Sequence, residues 1–263
     1  NSLNSRRSNM TNEEKTLTYN ENISKLRDYI KNAKRIVFFG GAGVSTESNI
    51  PDFRSSNGLF SKKLNRQFSP EQLVSHTFFV RYTEDFFSFY KSNMIYKDAK
   101  PNKAHLALAK LEKMGKLDSI VTQNIDGLHQ LAGNTRVFDL HGNINHNTCT
   151  SCKAKYNLDE FLDLGDPVPR CKKCGSIVKP DVVLYEESLD DKTISGAINS
   201  ISKADLLIVG GTSLVVYPAA GFLDYFKGDH IVLINKSSTQ LDSRADLVIN
   251  ESIGKVLDDA INY

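Results

Sequence analysis

The chain has 263 residues, of which 40% are hydrophobic, and its 33 basic side chains nearly balance 31 acidic ones. This length allows one large domain, or a large domain with a smaller one inserted into it. A net charge of +2 gives no long-range attraction to nucleic acid or to an anionic membrane, so neither partner is expected. The sequence shows no membrane-length apolar run and no signal-peptide pattern, which favours a cytoplasmic protein.

The N-terminal segment is polar. Residues 1–19 are expected to be disordered or vector-derived, with Met10 as the native start. Residues 20–32 then place Ile23, Leu26 and Ile30 at helical spacing, which predicts an amphipathic helix beside the first strand.

An apolar strand, residues 36–39, runs directly into Gly40, Gly41 and Gly43. Such a turn lets backbone N–H groups approach a pyrophosphate, and a helix after it would direct its positive end at the anion. The third glycine of the dinucleotide fingerprint is replaced by Thr46, and no acidic residue follows at the spacing of a ribose ligand. By itself the turn is therefore compatible either with nucleotide binding or with a tight structural turn.

The loop that follows carries Pro51, Phe53 and Arg54. Proline, glycine, serine and asparagine exclude a continuing helix here. An aromatic ring and an arginine just beyond a phosphate turn could cover a bound cofactor. The alternative is that Phe53 anchors the loop in the core and Arg54 pairs with a surface carboxylate.

Helical and strand patterns alternate along the remaining chain. The aromatic-rich residues 70–94 predict a helical module with its own small core, and residues 102–114 predict a further helix. Strands are predicted at 117–122, 136–140, 205–209, 230–234 and 246–249, before a closing helix from about residue 253. This alternation predicts an α/β fold with a doubly wound parallel sheet.

Polar residues follow several of these strands directly. Gln123 and Asp126 follow the strand at 117–122, and His141 follows the strand at 136–140. Thr212 and Ser213 belong to a second glycine turn, whose hydroxyls suit a phosphate or a ribose. Open α/β sheets bind ligands at this edge, but a histidine at a strand end can equally be structural.

The four cysteines follow the pattern C-x2-C-x18-C-x2-C, and the segment that contains them interrupts the strand pattern as an insertion. Cys149, Cys152, Cys171 and Cys174 therefore predict a zinc ribbon. Four sulfur ligands leave no open position for water, so the zinc should be structural. Two disulfides are the alternative, but a chain without a secretion signal is expected in a reducing compartment.

At this point the chain resembles the sirtuins of bacterial type, which are NAD-dependent protein-lysine deacylases. The matching motifs occur in the same order along the chain as in the family. They are the four cysteines and residues 41–45, 50–54, 122–129, 140–143, 211–214 and 234–235. The resemblance implies a Rossmann-type domain at 20–54, 116–142 and 179–263. It also implies a small domain made of a helical part at 55–115 and a zinc insert at 143–178, with NAD and acyl-lysine bound between the two domains.

The resemblance also implies residue roles. His141 would be the general base, and Val183 and Tyr185 would lie along the acyl-lysine peptide. Phe53 would shield the reacting ribose, and Ile125 and Asp126 would line the nicotinamide pocket. The remaining contacts to NAD would come from Ala42, Thr46, Arg54, Gln123, Thr212, Ser213, Asn235 and Ile253.

The implied reaction consumes NAD, which here is not a redox carrier. The amide oxygen of acyl-lysine captures the ribose carbon that nicotinamide leaves, and a neutral imidazole then activates a ribose hydroxyl. A covering loop keeps water from the cationic ribose carbon. The products would be free lysine, nicotinamide and 2′-O-acyl-ADP-ribose.

The chain departs from the family pattern at two places. Sirtuins commonly have Arg-Pro and Phe-Gly-Glu where this chain has Lys179-Pro180 and Tyr185-Glu186-Glu187. Members that prefer anionic acyl groups carry Tyr-x-x-Arg, whereas this chain has Asn93 three residues after Tyr90. Burying a succinyl carboxylate without a cation is costly, so acetyl or uncharged longer acyl groups are predicted over succinyl.

Two other functions remain open at this level. A mono-ADP-ribosyltransferase would use the same cleavage of NAD, and a non-catalytic NAD-sensing module would need only the binding residues. His141 favours deacylation over the transferase, and nicotinamide release with NAD and an acetylated peptide would exclude the sensing module. A dehydrogenase is disfavoured because the acidic ribose ligand is absent.

Overall fold

The computed structural model describes residues 10–53, 68–214 and 219–263. Its larger part is a six-stranded parallel sheet with the order β3-β2-β1-β7-β8-β9. These strands are β1 (Ile36–Gly40), β2 (Leu117–Thr122), β3 (Val137–Asp139), β7 (Leu206–Gly210), β8 (His230–Ile234) and β9 (Leu247–Ile249). The helices that pack on it are α1 (Asn12–Asn32), α5 (Lys103–Lys113), α6 (Leu128–Ala132), α8 (Asp191–Lys203) and α9 (Ile253–Ile261).

The central strand β1 is buried on both faces, because its side chains alternate between two cores. Phe38 packs with α1, α5 and α9 on one face, and Val37 and Phe39 pack with α8 on the other. The strand order reverses between β1 and β7, which makes their carboxyl ends the expected ligand site of a doubly wound sheet. The predicted fold class is confirmed.

A second, antiparallel sheet with the order β5-β4-β6 carries the cysteines. It consists of β4 (Gly142–Cys149), β5 (Lys155–Tyr156) and β6 (Val178–Val182). Beside it lie α2 (Pro70–Leu73), α3 (His76–Arg81), α4 (Thr83–Asn93) and α7 (Leu158–Asp163). One hydrophobic core joins these helices to the sheet, since Phe86, Phe87 and Tyr90 pack with Phe161 and Val178. The helical part and the cysteine segment are therefore one small module.

The structure differs from the sequence-based expectation at four places. Helix α5 packs on the large sheet, so the expected helical part of the small domain at 55–115 extends too far. The first helix begins at Asn12, because Thr11 and Glu14 form a capping box, so residues 12–19 are helical and not a disordered extension. Residues 179–182 belong to β6 of the small sheet, so the expected return to the large domain at 179 is too early. The glycine turn continues into two 3-10 turns, Ala42–Val44 and Thr46–Ser48, instead of an α-helix.

Within the described ranges, none of the helices combines the length and the apolar character needed to cross a bilayer.

Candidate active site

A cavity of about 750 Å³ lies between the large sheet and the small module. It opens at the carboxyl ends of β1, β2, β3 and β7, and α4 and the segment after β6 form its opposite wall. The predicted site residues that line it are Ala42, Phe53, Gln123, Ile125, Asp126, His141, Val183, Tyr185, Thr212 and Ser213. Strand ends from distant parts of the chain thus converge on one cavity.

The two glycine turns contact each other at the floor of this cavity. The Gly43 amide donates to the Gly211 carbonyl at 2.7 Å. A Cβ atom at Gly43 would lie 2.7 Å from the Gly211 Cα atom, and Gly211 itself has a φ of 62°. Side chains at either position would separate the turns. The glycines are therefore required for this backbone contact, and they leave a side-chain-free surface on which a phosphate can lie.

Gln123 and Thr212 form the polar part of the floor. The Thr212 hydroxyl donates to Gln123 Oε1 at 2.8 Å, whereas the buried Gln123 Nε2 atom has no hydrogen-bond partner among the described residues. A buried amide donor without an acceptor is costly. The oxygen-rich phosphates and riboses of a dinucleotide would supply that acceptor, so this floor fits NAD.

Asn235 acts on the backbone of the second turn. Its Oδ1 atom accepts from the Thr212 amide at 2.9 Å, and its Nδ2 atom donates to the Thr212 carbonyl at 2.8 Å. The side chain is buried and does not line the cavity. Asn235 therefore holds Thr212 in place, and its predicted contact with NAD stays a prediction.

Two further predicted cofactor contacts also lie outside the cavity lining. Thr46 is exposed, and its hydroxyl donates to the Gly43 carbonyl at 3.1 Å. Ile253 is a core residue with 4% exposure, and its side chain packs against Gly210. Arg54 lies outside the described residues.

Asp126 is held by groups that the sequence analysis did not single out. The Ser45 hydroxyl donates to Asp126 Oδ2 at 2.6 Å, and the Leu128 amide donates to Oδ1 at 3.0 Å. Asn124 donates to the Gly41 carbonyl at 2.9 Å and so joins the segment after β2 to the glycine turn. Both Ser45 and Asn124 lie inside matched motifs, but nothing in the local pattern shows which atoms they contact.

His105 adjoins this group from α5. Its Nε2 atom lies 3.5 Å from the Ser45 hydroxyl oxygen, and its Nδ1 atom accepts from the Asn102 amide at 3.1 Å. Burial lowers the pKa of His105 to about 4, so the ring is neutral at physiological pH and carries its proton on Nε2. No sequence signal distinguished this histidine.

His141 follows β3 and presents its imidazole to the cavity. Its Nδ1 atom lies 2.9 Å from the Gln123 carbonyl oxygen, which can only accept. In the neutral ring the proton is therefore on Nδ1, and Nε2 carries the lone pair. The Val183 amide donates to the His141 carbonyl at 2.8 Å, which ties the predicted peptide edge to His141. This is the arrangement that a general base requires.

The predicted peptide edge is attached to the helical part of the module. The Tyr185 amide donates to the Val74 carbonyl at 3.0 Å, and the Tyr185 carbonyl accepts from the His76 amide at 2.9 Å. Glu186 has a φ of 77°, in the left-handed region that favours glycine. Its carboxylate accepts from the Thr77 amide at 2.9 Å and the Thr77 hydroxyl at 2.8 Å. The departure from Phe-Gly-Glu therefore adds a cap at the first turn of α3.

The other departure on this edge also has a partner. Lys179 lies 3.2 Å from one Glu187 oxygen, and His76 lies 2.8 Å from the other. The Leu184 amide donates to the same carboxylate at 2.9 Å. Lysine in place of arginine thus keeps one charge contact to Glu187 without the bidentate geometry.

The four cysteine sulfurs all lie within 4.8 Å of one another. The Cys149–Cys174 and Cys152–Cys171 separations are 3.4 and 3.6 Å. A tetrahedral zinc with the usual bond lengths requires about 3.8 Å between its sulfurs. All four cysteines are free of disulfide bonds, so the two-disulfide alternative is wrong and the cluster is a structural zinc site.

Tyr156 supports the zinc site and was missed by the sequence analysis. Its hydroxyl accepts from the Lys172 amide at 3.0 Å and therefore directs its proton at Cys171 Sγ, 3.3 Å away. A hydrogen bond to a ligand sulfur orients the ligand and stabilises the thiolate form.

The fold and the cavity define a class: a Rossmann-type dinucleotide-binding protein with a zinc-ribbon module and a histidine in the cavity between its two parts. Residues 41–218 match the family model described as "Sir2 family". The chain therefore belongs to the Sir2 family.

Curated relatives and a solved structure agree with this assignment. A protein of Clostridium perfringens named "NAD-dependent protein deacetylase" is 66% identical over 243 residues, which are 92% of this chain and 99% of that protein. A protein of Clostridium acetobutylicum with the same name is 59% identical over 241 residues, covering 92% and 98%. A Sir2 structure with a deacetylated p53 peptide and 3′-O-acetyl-ADP-ribose superposes with a TM-score of 0.81 at 35% identity, covering 91% of this chain and 97% of that one.

Proposed function

We propose that this chain is an NAD-dependent protein-lysine deacetylase in which His141 is the general base. It transfers the acetyl group from acetyl-lysine to ADP-ribose, which makes it formally an acyltransferase, and it releases nicotinamide and 2′-O-acetyl-ADP-ribose. The observation that carries the proposal is the His141 imidazole, whose proton is directed at the Gln123 carbonyl in the cavity beside the paired glycine turns. The similar Sir2 structure carries a deacetylated peptide and 3′-O-acetyl-ADP-ribose, which supports transfer of an acetyl group from a peptide to ADP-ribose.

NAD would lie on the floor formed by the glycine turns. Gln123 Nε2 and Ser213 would form hydrogen bonds with its polar oxygens, while Phe53 would cover the ribose. Phe53 packs edge-on against Phe89 at 6.4 Å between ring centroids, so an apolar anchor holds it at the cavity. NAD supplies a ribose carbon that becomes electrophilic when nicotinamide leaves. Covering that carbon with an aromatic ring excludes water and favours acyl-lysine as the nucleophile.

His141 would take the proton of a ribose hydroxyl on its Nε2 atom. The Gln123 carbonyl keeps the ring in the required tautomer, and it stabilises the imidazolium that proton transfer creates. Asp126, oriented by Ser45, would face the nicotinamide carboxamide together with Ile125. Val183 and Tyr185 would align the acyl-lysine peptide, because their segment is fixed to His141 on one side and to α3 on the other.

Four reduced cysteines suit a reducing compartment such as the cytoplasm.

The test is turnover of an acetyl-lysine peptide by His141→Ala. Nicotinamide release and loss of the acetyl group, followed by mass spectrometry, should fall at least about 100-fold, because a positioned base contributes at least that factor. His146→Ala is the matched control, since His146 is exposed on β4 and does not line the cavity. Unchanged turnover by His141→Ala would contradict the assigned role. A gain of ADP-ribose on the peptide, without loss of acetyl, would identify the transferase alternative instead.

A further inference from the structure

Glu186 has a backbone conformation that is unfavourable for any residue with a side chain. Its φ of 77° lies in the left-handed region, and the family pattern has glycine at this position. Such a conformation persists only where other contacts of the folded chain compensate for its cost. The side chain of Glu186 should therefore make contacts that a glycine cannot make.

Both carboxylate oxygens of Glu186 bind one residue, Thr77, in the first turn of α3. Oε1 accepts from the Thr77 amide at 2.9 Å, and Oε2 accepts from the Thr77 hydroxyl at 2.8 Å. The bond from the amide, together with the bond from the hydroxyl, lowers the pKa of Glu186, so the carboxylate is ionised at neutral pH. A side chain that is bonded through both oxygens restricts the backbone that carries it.

The residues on either side of Glu186 are tied to the same part of the small module. The Tyr185 amide and carbonyl both bond to the backbone of residues 74–76, and the Glu187 carboxylate lies 2.8 Å from the His76 ring. Glu187 is the glutamate of the family pattern, so Glu186 adds a second side-chain contact that glycine cannot provide. This segment is consequently held against α3 by contacts within the protein.

The backbone of Glu186 remains open to a substrate. Neither its amide nor its carbonyl bonds to another backbone group among the described residues, and Glu186 lines the active-site cavity. An extended peptide can pair with such a free backbone edge. Thr77 does not line this cavity but lines a separate surface groove, which Glu186 also borders. The contact with Thr77 therefore fixes the edge from the groove side and leaves the cavity side free.

We propose that Glu186 is a positioning residue for the acyl-lysine peptide, because through Thr77 it holds the peptide edge (residues 183–186) in its binding conformation before the peptide arrives. This inference rests on the proposed deacylase function and concerns how that function's peptide substrate is bound. A preformed edge loses less conformational entropy on binding than a mobile one. The effect should appear in peptide affinity and not in the chemical step, in which Glu186 takes no part.

The experiment measures KM and kcat for one acetyl-lysine peptide, and the Kd of the same peptide, fluorescently labelled, without NAD. In Glu186→Gly, which restores the usual residue of the family, KM and Kd should rise about three- to tenfold, the range of one net hydrogen bond. The kcat value should stay within about twofold of the native value. Thr77→Val loses the hydroxyl but keeps the amide, so its rise should be smaller. The double variant should bind no more weakly than Glu186→Gly, because both substitutions remove the same contact.

Glu186→Gln separates this role from a direct attraction between the carboxylate and a basic peptide. The glutamine oxygen can accept from the Thr77 amide, and its NH2 group can donate to the Thr77 hydroxyl oxygen. The positioning role therefore predicts near-native peptide affinity for Glu186→Gln. Glu71→Gln is the matched control, because Glu71 lines the same groove from α2, and it should keep the native affinity.

Native peptide affinity in Glu186→Gly, an affinity in Glu186→Gln as weak as in Glu186→Gly, or additive losses in the double variant would each overturn the positioning role. A parallel fall of kcat and melting temperature in Glu186→Gly would also overturn it, because general destabilisation would then explain the change. Nicotinamide release by the native protein from NAD and the acetyl peptide is measured in the same series. Its absence would reject the deacylase function itself, whereas native release with unchanged affinity in Glu186→Gly would reject only the positioning role.

Discussion

At the residue scale, Asn93 is the residue on which the predicted preference for uncharged acyl groups depends. Sirtuins that prefer anionic acyl groups carry an arginine three residues after the tyrosine, and here Asn93 lines the cavity at that spacing from Tyr90. An amide cannot neutralise a buried carboxylate, so a succinyl group would bear most of its desolvation cost. The native chain is therefore expected to turn over acetyl-lysine more efficiently than succinyl-lysine.

Asn93→Arg should reverse part of this preference. A guanidinium on the same wall would pair with the succinyl carboxylate, and a charge-assisted hydrogen bond of this kind corresponds to about ten- to 100-fold in kcat/KM relative to acetyl. Asn93→Gln is the control, because it lengthens the side chain without adding charge. The measurement is the succinyl-to-acetyl ratio of kcat/KM for the three proteins. A ratio in Asn93→Arg no higher than in Asn93→Gln would show that this position does not face the acyl end.

At the scale of elements, the zinc ribbon and the helical segment support each other. Phe161 of α7 packs on Tyr90 of α4, and Lys91 of the same helix bonds to Asp166. Helix α4 forms one wall of the cavity. A change in the geometry of the cysteine cluster should therefore move this wall through the contact between Phe161 and Tyr90. We therefore expect the zinc to act on catalysis through the packing of the module and not through a bond to substrate.

Cys171→Ser should lose zinc and most deacetylase activity together. Metal binding supplies folding free energy to small zinc modules, so the ribbon should unfold and release α4 from its packing. Zinc content, circular dichroism and turnover are the measurements. Lys172→Ser, in the same knuckle but without a ligand atom, is expected to keep both metal and activity. A zinc-free Cys171→Ser protein with native turnover would show that the module does not need the metal.

At the scale of the whole molecule, two buried histidines make stability depend on pH. His129 is 2% exposed, neither ring nitrogen has a partner among the described residues, and its ring lies 4.9 Å from that of His105. Burial lowers the pKa of His105 to about 4 and that of His129 to about 3. In the unfolded chain both rings take up protons near pH 6.5, so between about pH 6.5 and 4 the unfolded state binds more protons than the folded state.

The contribution of these two histidines to the free energy of unfolding should consequently be largest above about pH 6.5 and fall as the pH is lowered toward 4. Denaturant unfolding at pH 7 and pH 5 measures this loss. His129→Gln should show a smaller loss between the two pH values, because one of the two proton-binding sites is removed. His146→Gln, at an exposed position, should show the native loss. Equal losses in the native protein and in His129→Gln would contradict the role of this buried ring.

The sequence by itself determined the features that depend on local pattern. Buried parallel strands such as β1 and β7 consist of consecutive apolar residues that end in glycine, and the C-x-x-C pairs specify a zinc site through spacing alone. The position of His141 after a strand marked it as a candidate, and its predicted role as the base came from the family resemblance. The tertiary structure alone decided the contacts between distant segments. These include the hydrogen bonds between Asn235 and Thr212, the Ser45–Asp126 hydrogen bond and the pairing of β6 with β4. The physical reason is that a hydrogen bond or a strand pair depends on which backbone atoms another segment places nearby, and residue type and spacing do not contain that information.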